Sequence, residues 1–401
     1  MRLAIVGGKL QGIEAVYLAA KAGYETVLID RRETPPAAGL ADVHVIMDVT
    51  ADAAHSRAVI GACDAVLPAC EDDVTLAWLV EHVPRWDVPL LFDLDSYAVT
   101  SSKLASNDLF ARLGVPRPRP WPDCELPAVV KPSGASGSVG VRLVHDEREL
   151  VAARSELESA GHEVVIEEYV TGPSLSLEVL RWDGRAVPLQ VTGLEFDSGF
   201  DCERVVAPVG EQVAEERPAD GGWDRAVPRG VLAALDAVTE RLAEGLGLRG
   251  LMDVEVMVHD AEPKLLEIDA RLPSQTPTAV YWSSGLNIVE LLHRTACDGC
   301  VPDIDRTASG ACVFQHVHAR DGRLTVIGEH VMGSARPLAL VPGFFGAHEA
   351  LTDYEPGCAS WSATLITLAA SVSEAQRTAD EVVACLAAEA HLEVLLEGET
   401  Q

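Results

Sequence analysis

Asp253 with Glu255, and Glu267 with Asp269, are carboxylate pairs set two residues apart. Each pair lies in or at the end of an apolar run, Gly250–His259 and Lys264–Ile268, that reads as a strand, so its members share one face. Glu255 and Glu267 are twelve residues apart, and a hairpin through Ala261-Glu262-Pro263 would bring the pairs side by side. Carboxylates converging inside apolar strands repel unless a cation lies between them, and oxygen-only ligands select Mg2+ or Mn2+ over Zn2+. Glu255, Glu267 and Asp269 are the metal candidates; the alternative is a set of exposed acids on an edge hairpin. Arg271 follows at once, placed to meet phosphate or carboxylate.

A second constellation starts at Val129-Val130-Lys131-Pro132 and runs through Ser133-Gly134-Ala135-Ser136-Gly137-Ser138 to Val141. A strand ending in Lys-Pro before a Gly/Ser hairpin can fold backbone N–H groups, and Ser138 with them, over a triphosphate, while Lys131 supplies a point charge. It lacks the order of a P-loop, and taken alone it could be an ordinary hairpin. Val165-Ile166-Glu167-Glu168-Tyr169-Val170 then reads as a strand turning into an extended segment suited to an adenine amino group. Only five lysines (Lys9, Lys21, Lys103, Lys131, Lys264) stand beside 26 arginines. A lysine kept in such a sequence is expected where a compact point charge serves better than a planar fork.

Near the N-terminus, Gly7-Gly8-Lys9-Leu10-Gln11-Gly12 follows a strand and opens a helix, and Asp30 ends the next strand. Such a turn can approach a nucleotide, although it is not the full dinucleotide fingerprint. Glu71, after the apolar run Ala65–Pro68, is a carboxylate at a strand's C-terminal end, where a doubly wound sheet binds ligands. Cys297-Asp-Gly-Cys300 reads as structural thiols, and His316 with His318 as ordinary histidines of a strand. No nucleophile triad is present in the sequence.

The elements that must position these residues fall into two rhythms. Through about residue 95, strands at Leu3–Val6, Glu25–Asp30, Val43–Met47, Ala65–Pro68 and Val88–Phe92 alternate with helices, which predicts a parallel, doubly wound α/β sheet. A helix around Lys103–Leu113 and a Pro-rich connector, Pro116 to Pro122, lead into mixed strands and helices. Those strands are Ala128–Lys131, Val139–Val144, Val164–Glu168, Leu175–Leu180 and the hairpin above. Glu211–Arg229 reads as an acidic surface loop, followed by an amphipathic helix over Val231–Leu246; a later helix is expected near Glu374–Glu389. The formal net charge of −31 makes nucleic acid or an anionic membrane a poor partner. Nine scattered cysteines, the lack of an uncharged apolar run of membrane-spanning length, and an N-terminus without signal anatomy point to a cytoplasmic protein.

A Lys-Pro-Gly lid, an adenine-hinge strand and an E-I-D carboxylate hairpin, in that order, resemble the ATP-grasp superfamily. Lys103, 28 residues before Lys131, matches its first nucleotide lysine. The stretches Val6–Gly12, Ala65–Pro68 with Glu71, Met252–Glu255, Glu267–Arg271 through Pro273-Ser274-Gln275-Thr276-Pro277, and Tyr281–Asn287 are similar to the 3-methylornithine–lysine ligases of pyrrolysine biosynthesis. The similarity is strong over about residues 1–300 and weak beyond. It implies an ATP-grasp fold: a Rossmann-like domain over 1–100, a small lobe with the lid over 101–174, a large lobe over 175–300, and a C-terminal extension over 301–401 packed on it. It implies ATP and Mg2+, with (3R)-3-methyl-D-ornithine activated as an acyl phosphate and attacked by the ε-amine of L-lysine. Lys103 and Lys131 would hold phosphates, Glu167–Val170 adenine, Glu255, Glu267 and Asp269 the metal, and Arg271 the acyl phosphate. Leu10, Gln11 and Glu71 would seat lysine; Ser176, Glu178 and Asp201, with Ser274, would hold methylornithine. Lys9 and Asp30 remain nucleotide candidates, and Ser174 stands where many members place a ribose-binding carboxylate. Small molecules are the expected partners, with self-association left open. Within the superfamily, a ligase for other amino acids is the alternative. An NAD(P)-linked oxidoreductase would leave the Lys131 lid and the hairpin without a role.

Overall fold

Four buried runs, Arg2–Val6 (β1), Glu25–Asp30 (β2), Val43–Ile46 (β3) and Ala65–Pro68 (β4), form a parallel sheet in the order β3-β2-β1-β4. The computed structural model describes residues 1–135, 137–212 and 227–395. Helix α1 (Leu10–Lys21) crosses from β1 to β2, α2 (Ala53–Ile60) from β3 to β4, and α3 (Asp73–His82) follows β4. The helix begins earlier than the glycine turn suggested, so Gly12 lies inside α1. A β-carbon there would overlap the Gly7 carbonyl, and one at Gly7, with φ at +108°, would overlap Ala69. These glycines therefore let β1, α1 and the end of β4 approach closely. Val88–Phe92, expected as a strand, touches the sheet through one bridge, Val66 to Leu90. Pro89 has no N–H to extend a ladder.

After α4 (Leu94–Thr100), Ser102 caps α5 (Lys103–Leu113), accepting from the Ala105 N–H. The small lobe is a three-stranded antiparallel sheet with β5 (Ala128–Pro132) between β6 (Arg142–Val144) and β7 (Val164–Glu168), backed by α6 (Glu147–Ser159). Residues 139–141, expected as strand, belong to the lid, where Val139 is exposed.

The large sheet begins with β8 (Ser174–Trp182), β9 (Arg185–Phe196) and β10 (Cys202–Ala207). A short pair, β11 (Glu211–Gln212) and β12 (Val227–Pro228), flanks the expected acidic loop, of which 213–226 lie outside the described residues. Helix α7 (Val231–Leu246) precedes β13 (Gly250–His259) and β14 (Glu262–Asp269); α8 (Thr276–Ser284) and α9 (Ile288–Asp298) follow. The last hundred residues supply β15 (Ala311–Arg320), β16 (Arg323–Val326), β17 (Ala339–Pro342), β18 (Glu349–Thr352), β19 (Ser360–Ala369), α10 (Val372–Glu389) and β20 (Glu393–Leu395). The order is β14-β13-β8-β9-β10-β15-β19-β18-β17, so the C-terminal extension continues the sheet edge to edge at β10–β15.

Alternation along β13 decides the site. Met252, Val254 and Val256 pack with Leu235, Val238 and Leu242 of α7, and the pleat turns Asp253 and Glu255 to the opposite face. Leu235 and Leu242 are fully buried, and each contributes about 1.5–3 kcal/mol by the usual scale for burying a leucine. No helix among the described residues is long and apolar enough to cross a membrane.

Candidate active site

A cleft opens between the small lobe and β13–β14, walled by both nucleotide lysines, the lid, Tyr169, Val170 and Met257. Lys131 Nζ, buried on β5, lies 2.5 Å from Glu167 Oε1 and donates to the Leu266 carbonyl at 3.4 Å. Lys103 Nζ donates to the Ala135 carbonyl of the lid and to Glu267 Oε1, both at 2.6 Å. The Arg119 guanidinium, then Lys264, holds the Glu168 carboxyl down to about 2, with Lys264 Nζ 2.9 Å away. Ser138 takes a left-handed conformation, φ +56°, and its hydroxyl donates to the Phe200 carbonyl at 2.6 Å. The lid thus touches the large lobe; Ser136, in its middle, lies outside the described residues.

The carboxylate hairpin forms in the expected register, Asp253 opposite Asp269 and Glu255 opposite Glu267. Burial, then the neighbouring acids Asp253, Glu267 and Asp269, pushes the Glu255 carboxyl well up. Burial also raises Asp269, while Arg271 works the other way. Arg271 Nη2 is 3.0 Å from Asp269 Oδ2 and 2.8 Å from Glu71 Oε1. Among the described residues no three acidic, histidine or cysteine side chains converge tightly enough to hold an ion as they stand. Glu267 is turned to Lys103 and Asp269 to Arg271. The donor set nevertheless fits a hard divalent cation: three half-buried carboxylates on one hairpin end, whose mutual repulsion calls for a counter-ion.

A second pocket shares Ser138, Phe196, Phe200, Glu255 and Glu267 with the first and continues to Asp201, Asp269, Arg271, Ser274 and Glu329. Six carboxylates line it (Asp201, Asp253, Glu255, Glu267, Asp269, Glu329) against one cation, Arg271. Asp201 accepts from the His330 N–H at 3.2 Å and from His330 Nδ1 in a short contact. Ser176 Oγ donates to Asp253 Oδ1 at 2.5 Å. Glu178 is placed differently from the expectation: it lies beneath the pocket with no exposure, and neither of its oxygens has a hydrogen-bond partner. Burial, then Asp253, raises its carboxyl far above the ordinary range.

Lys9 and Asp30 lie at the N-terminal glycine turn, apart from the cleft between the lobes. With Arg31, Arg32 and Glu71 they line a third pocket at the carboxyl ends of β1, β2 and β4. Asp30 accepts from the Gly8 N–H at 2.8 Å and is forked by Arg32 at 2.9 and 2.6 Å, so its oxygens are already engaged. Gln11 Nε2 donates to Glu71 Oε1 at 2.8 Å, which links α1 through Glu71 to Arg271. Leu10 packs beside Gly333 and is in the wall of none of these pockets. His316 is buried against Thr364 and pushed down to about 3 by burial, a neutral core histidine. Cys297 and Cys300 are free thiols.

Sequence reasoning missed Glu329, Phe200 and Gln275. Gln275 could have been suspected from its place between Ser274 and Thr276 in the matched motif. Glu329 opens a short 3-10 helix, Glu329–Ser334, with no spacing signal.

A two-lobed clamp around a lysine-lined cleft, with an acidic hairpin as its floor, defines the ATP-grasp class. The overall fold matches biotin carboxylase from Campylobacter jejuni (TM-score 0.68, 15% identity, 96% of this chain and 94% of that one). It also matches an L-amino acid ligase from Bacillus licheniformis (TM-score 0.65, 16% identity, 95% and 96%). Residues 122–293 match the family model for the D-ala D-ala ligase C-terminus. The chain is 35% identical to the 3-methyl-D-ornithine–L-lysine ligase of Methanosarcina mazei over 82% of its length and 81% of that protein's. It is 33% identical to the Methanosarcina barkeri enzyme over 82% and 83%. The chain belongs to the 3-methyl-D-ornithine–L-lysine ligase family and is an ATP-dependent carbon–nitrogen ligase.

Proposed function

We propose that the enzyme joins the carboxylate of 3-methyl-D-ornithine to the ε-amine of L-lysine, a step of pyrrolysine biosynthesis, at the expense of ATP and with Mg2+. The observation that carries the substrate class is the second pocket, which beyond the three acids of the metal hairpin sets Asp201, Asp253 and Glu329 against a single arginine. Such a pocket suits an amino acid bearing two ammonium groups and disfavours a plain anionic acid. Its shared wall with the nucleotide cleft supports a carboxylate bound within reach of the phosphates there.

In the reaction a carboxylate oxygen attacks the γ-phosphorus as the bond to ADP breaks, giving an acyl phosphate. The ε-amine then attacks the carbonyl carbon and phosphate leaves with the bonding electrons. Glu255, Glu267 and Asp269 would hold Mg2+, which neutralises phosphate charge when bound. Lys131 and Lys103 exchange Glu167 and Glu267 for phosphate oxygens, and Arg271 supports the acyl phosphate. Glu71, at the N-terminal wall beside Arg271, receives the α-ammonium of lysine. Deprotonating a lysine ε-amine costs roughly 4–5 kcal/mol at neutral pH, so the attacking amine must be held out of bulk water.

Mass spectrometry of products from ATP, Mg2+, L-lysine and 3-methyl-D-ornithine or D-ornithine tests the reading. The expected product is the two amino acids less one water, with one ADP per amide. ADP release with a different amino-acid pair, and none with this one, would assign the enzyme to other substrates.

A further inference from the structure

We propose that Glu329, carried into the acidic pocket by the segment Gly328–His330, receives an ammonium group of the diamino-acid substrate and so sets specificity for it. The assignment rests on the substrate reading above. It places a specificity residue in the C-terminal hundred residues, where the sequence resemblance is weak.

The other acids of the pocket already have work. Glu255, Glu267 and Asp269 belong to the hairpin that meets the cation and the phosphates. Asp253 is held by the Ser176 hydroxyl, and Asp201 accepts from both the backbone and the ring of His330. Glu329 alone lines the pocket with a buried carboxylate oxygen, Oε2, that has no hydrogen-bond partner. A buried acceptor left without a donor is costly, and an incoming ammonium removes that cost. Burial pushes the Glu329 carboxyl up, and the neighbouring Gln275 and Ser274 side chains work the other way; an ammonium would favour its charged form further.

The backbone is arranged to put Glu329 there. A β-carbon on Gly328 would overlap the Asp201 carboxylate, so only glycine lets this segment lie against the pocket rim. The Gly328 N–H donates to Asp197 Oδ2 at 3.2 Å, tying the segment to the loop before β10. In the same pocket Gln275 sits at φ +73°, ψ −60°, and the Thr276 N–H donates to the Ser274 carbonyl at 2.9 Å. This is a γ-turn of the rare, strained hand, which persists where surrounding structure enforces it. It presents Ser274 and Gln275 beside Glu329.

Calorimetric titration in the presence of Mg2+ and ADP, with D-ornithine, D-norvaline (no side-chain ammonium) and 5-aminopentanoate (no α-ammonium), decides the matter. The wild type should favour D-ornithine over at least one analogue. Glu329→Gln should weaken D-ornithine by about ten- to a hundredfold and leave that analogue's affinity unchanged. In steady-state assays its KM for ornithine should rise while those for ATP and lysine stay put. Gly328→Ala, which keeps the carboxylate but displaces it, should reproduce the ornithine effect. Unaltered D-ornithine binding by Glu329→Gln, or an equal rise in all three KM values, would overturn the assignment. A wild type that neither binds nor ligates D-ornithine or its 3-methyl form would overturn the substrate reading, and this assignment with it.

Discussion

The two halves of the active cleft handle charge in opposite ways. On the nucleotide side every lysine is matched: Lys131 by Glu167, Lys103 by Glu267, Lys264 by Glu168. On the amino-acid side six carboxylates face one arginine, and an oxygen of Glu329 is left without a donor. A protein with a net charge of −31 repels ATP at long range, so its cations have to be kept ordered at the point of use. Ion pairs that swap a carboxylate for a phosphate do this without leaving a buried cation bare. The diamino-acid side needs no such reserve, because there the ligand brings the missing positive charge. The hairpin β13–β14 is the wall between the two regimes.

The hardest blow to this division falls on that wall. Glu267→Gln removes a candidate metal ligand and the partner of Lys103 while keeping side-chain volume. Turnover should fall by about 10²–10³-fold, the scale for losing one preorganised charge contact at a transition state. Product formation measured across a Mg2+ titration checks this; near wild-type turnover at limiting Mg2+ would remove the metal assignment.

Lys131→Met should act on the nucleotide side alone. A hydrogen bond between charged groups is worth roughly 1.5–3 kcal/mol, so the ATP dissociation constant should rise about ten- to a hundredfold. The D-ornithine affinity should not move. The change also strands Glu167, whose side chain is only 7% exposed, so a lower Tm should accompany it. Calorimetry with each ligand separates the two sides, and weakened ornithine binding would show that the charge regimes are not independent. Glu71→Gln should be milder, raising the lysine KM by about tenfold. Because Glu71 also pairs with Arg271, a modest fall in kcat is expected too; an unchanged lysine KM would leave Glu71 a mere support for Arg271.

What the sequence disclosed follows the same line. The hairpin could be read because alternation along a strand is a local property, and apolar residues between the acids fix which face they share. Lys131 could be read from the lid it precedes and Lys103 from the family resemblance, with the scarcity of lysine as support. The limits were set by side-chain pairings that no spacing announces. Glu167, read as an adenine contact, also pairs with Lys131, a contact no local pattern announced. Asp30 looked available until Arg32, only two residues on, closed its fork. Glu178 sat on the expected strand, yet a register shift between Leu177 and Val179 accompanies its place under the pocket. Strands β9 and β10 carried no clear boundary, so the continuity of the sheet into β15 was invisible. Glu329 was unreadable because its position depends on Gly328 meeting Asp201, a contact made across more than a hundred residues.

The smallest expected effect on catalysis lies outside both regimes, at the joint between the N-terminal domain and α8. Glu14 on α1 is 2% exposed and accepts from the Thr278 N–H at 2.7 Å and its hydroxyl at 2.8 Å. A carboxylate at a helix N-terminus is favourable, yet burial dominates and pushes Glu14 up from 4.5 to about 7. The folded protein therefore holds this proton more tightly than the unfolded chain does. Its contribution to stability is complete below about pH 4.5 and is lost as pH rises through about 7. Glu14→Gln keeps the volume and an acceptor oxygen but has no proton to lose. Unfolding free energies from pH 5 to 8 should show the variant gaining on the wild type as pH rises. A tenfold difference in proton affinity between the folded and unfolded chains is worth about 1.4 kcal/mol, so the gain over this range should stay below about 3 kcal/mol. The KM values for ATP and ornithine should be unchanged at each pH. Parallel stability curves would mean that Glu14 stays ionised beside Thr278. A shifted ornithine KM would instead mean that the joint reaches, through α8 and the strained Gln275 turn, into the acidic pocket.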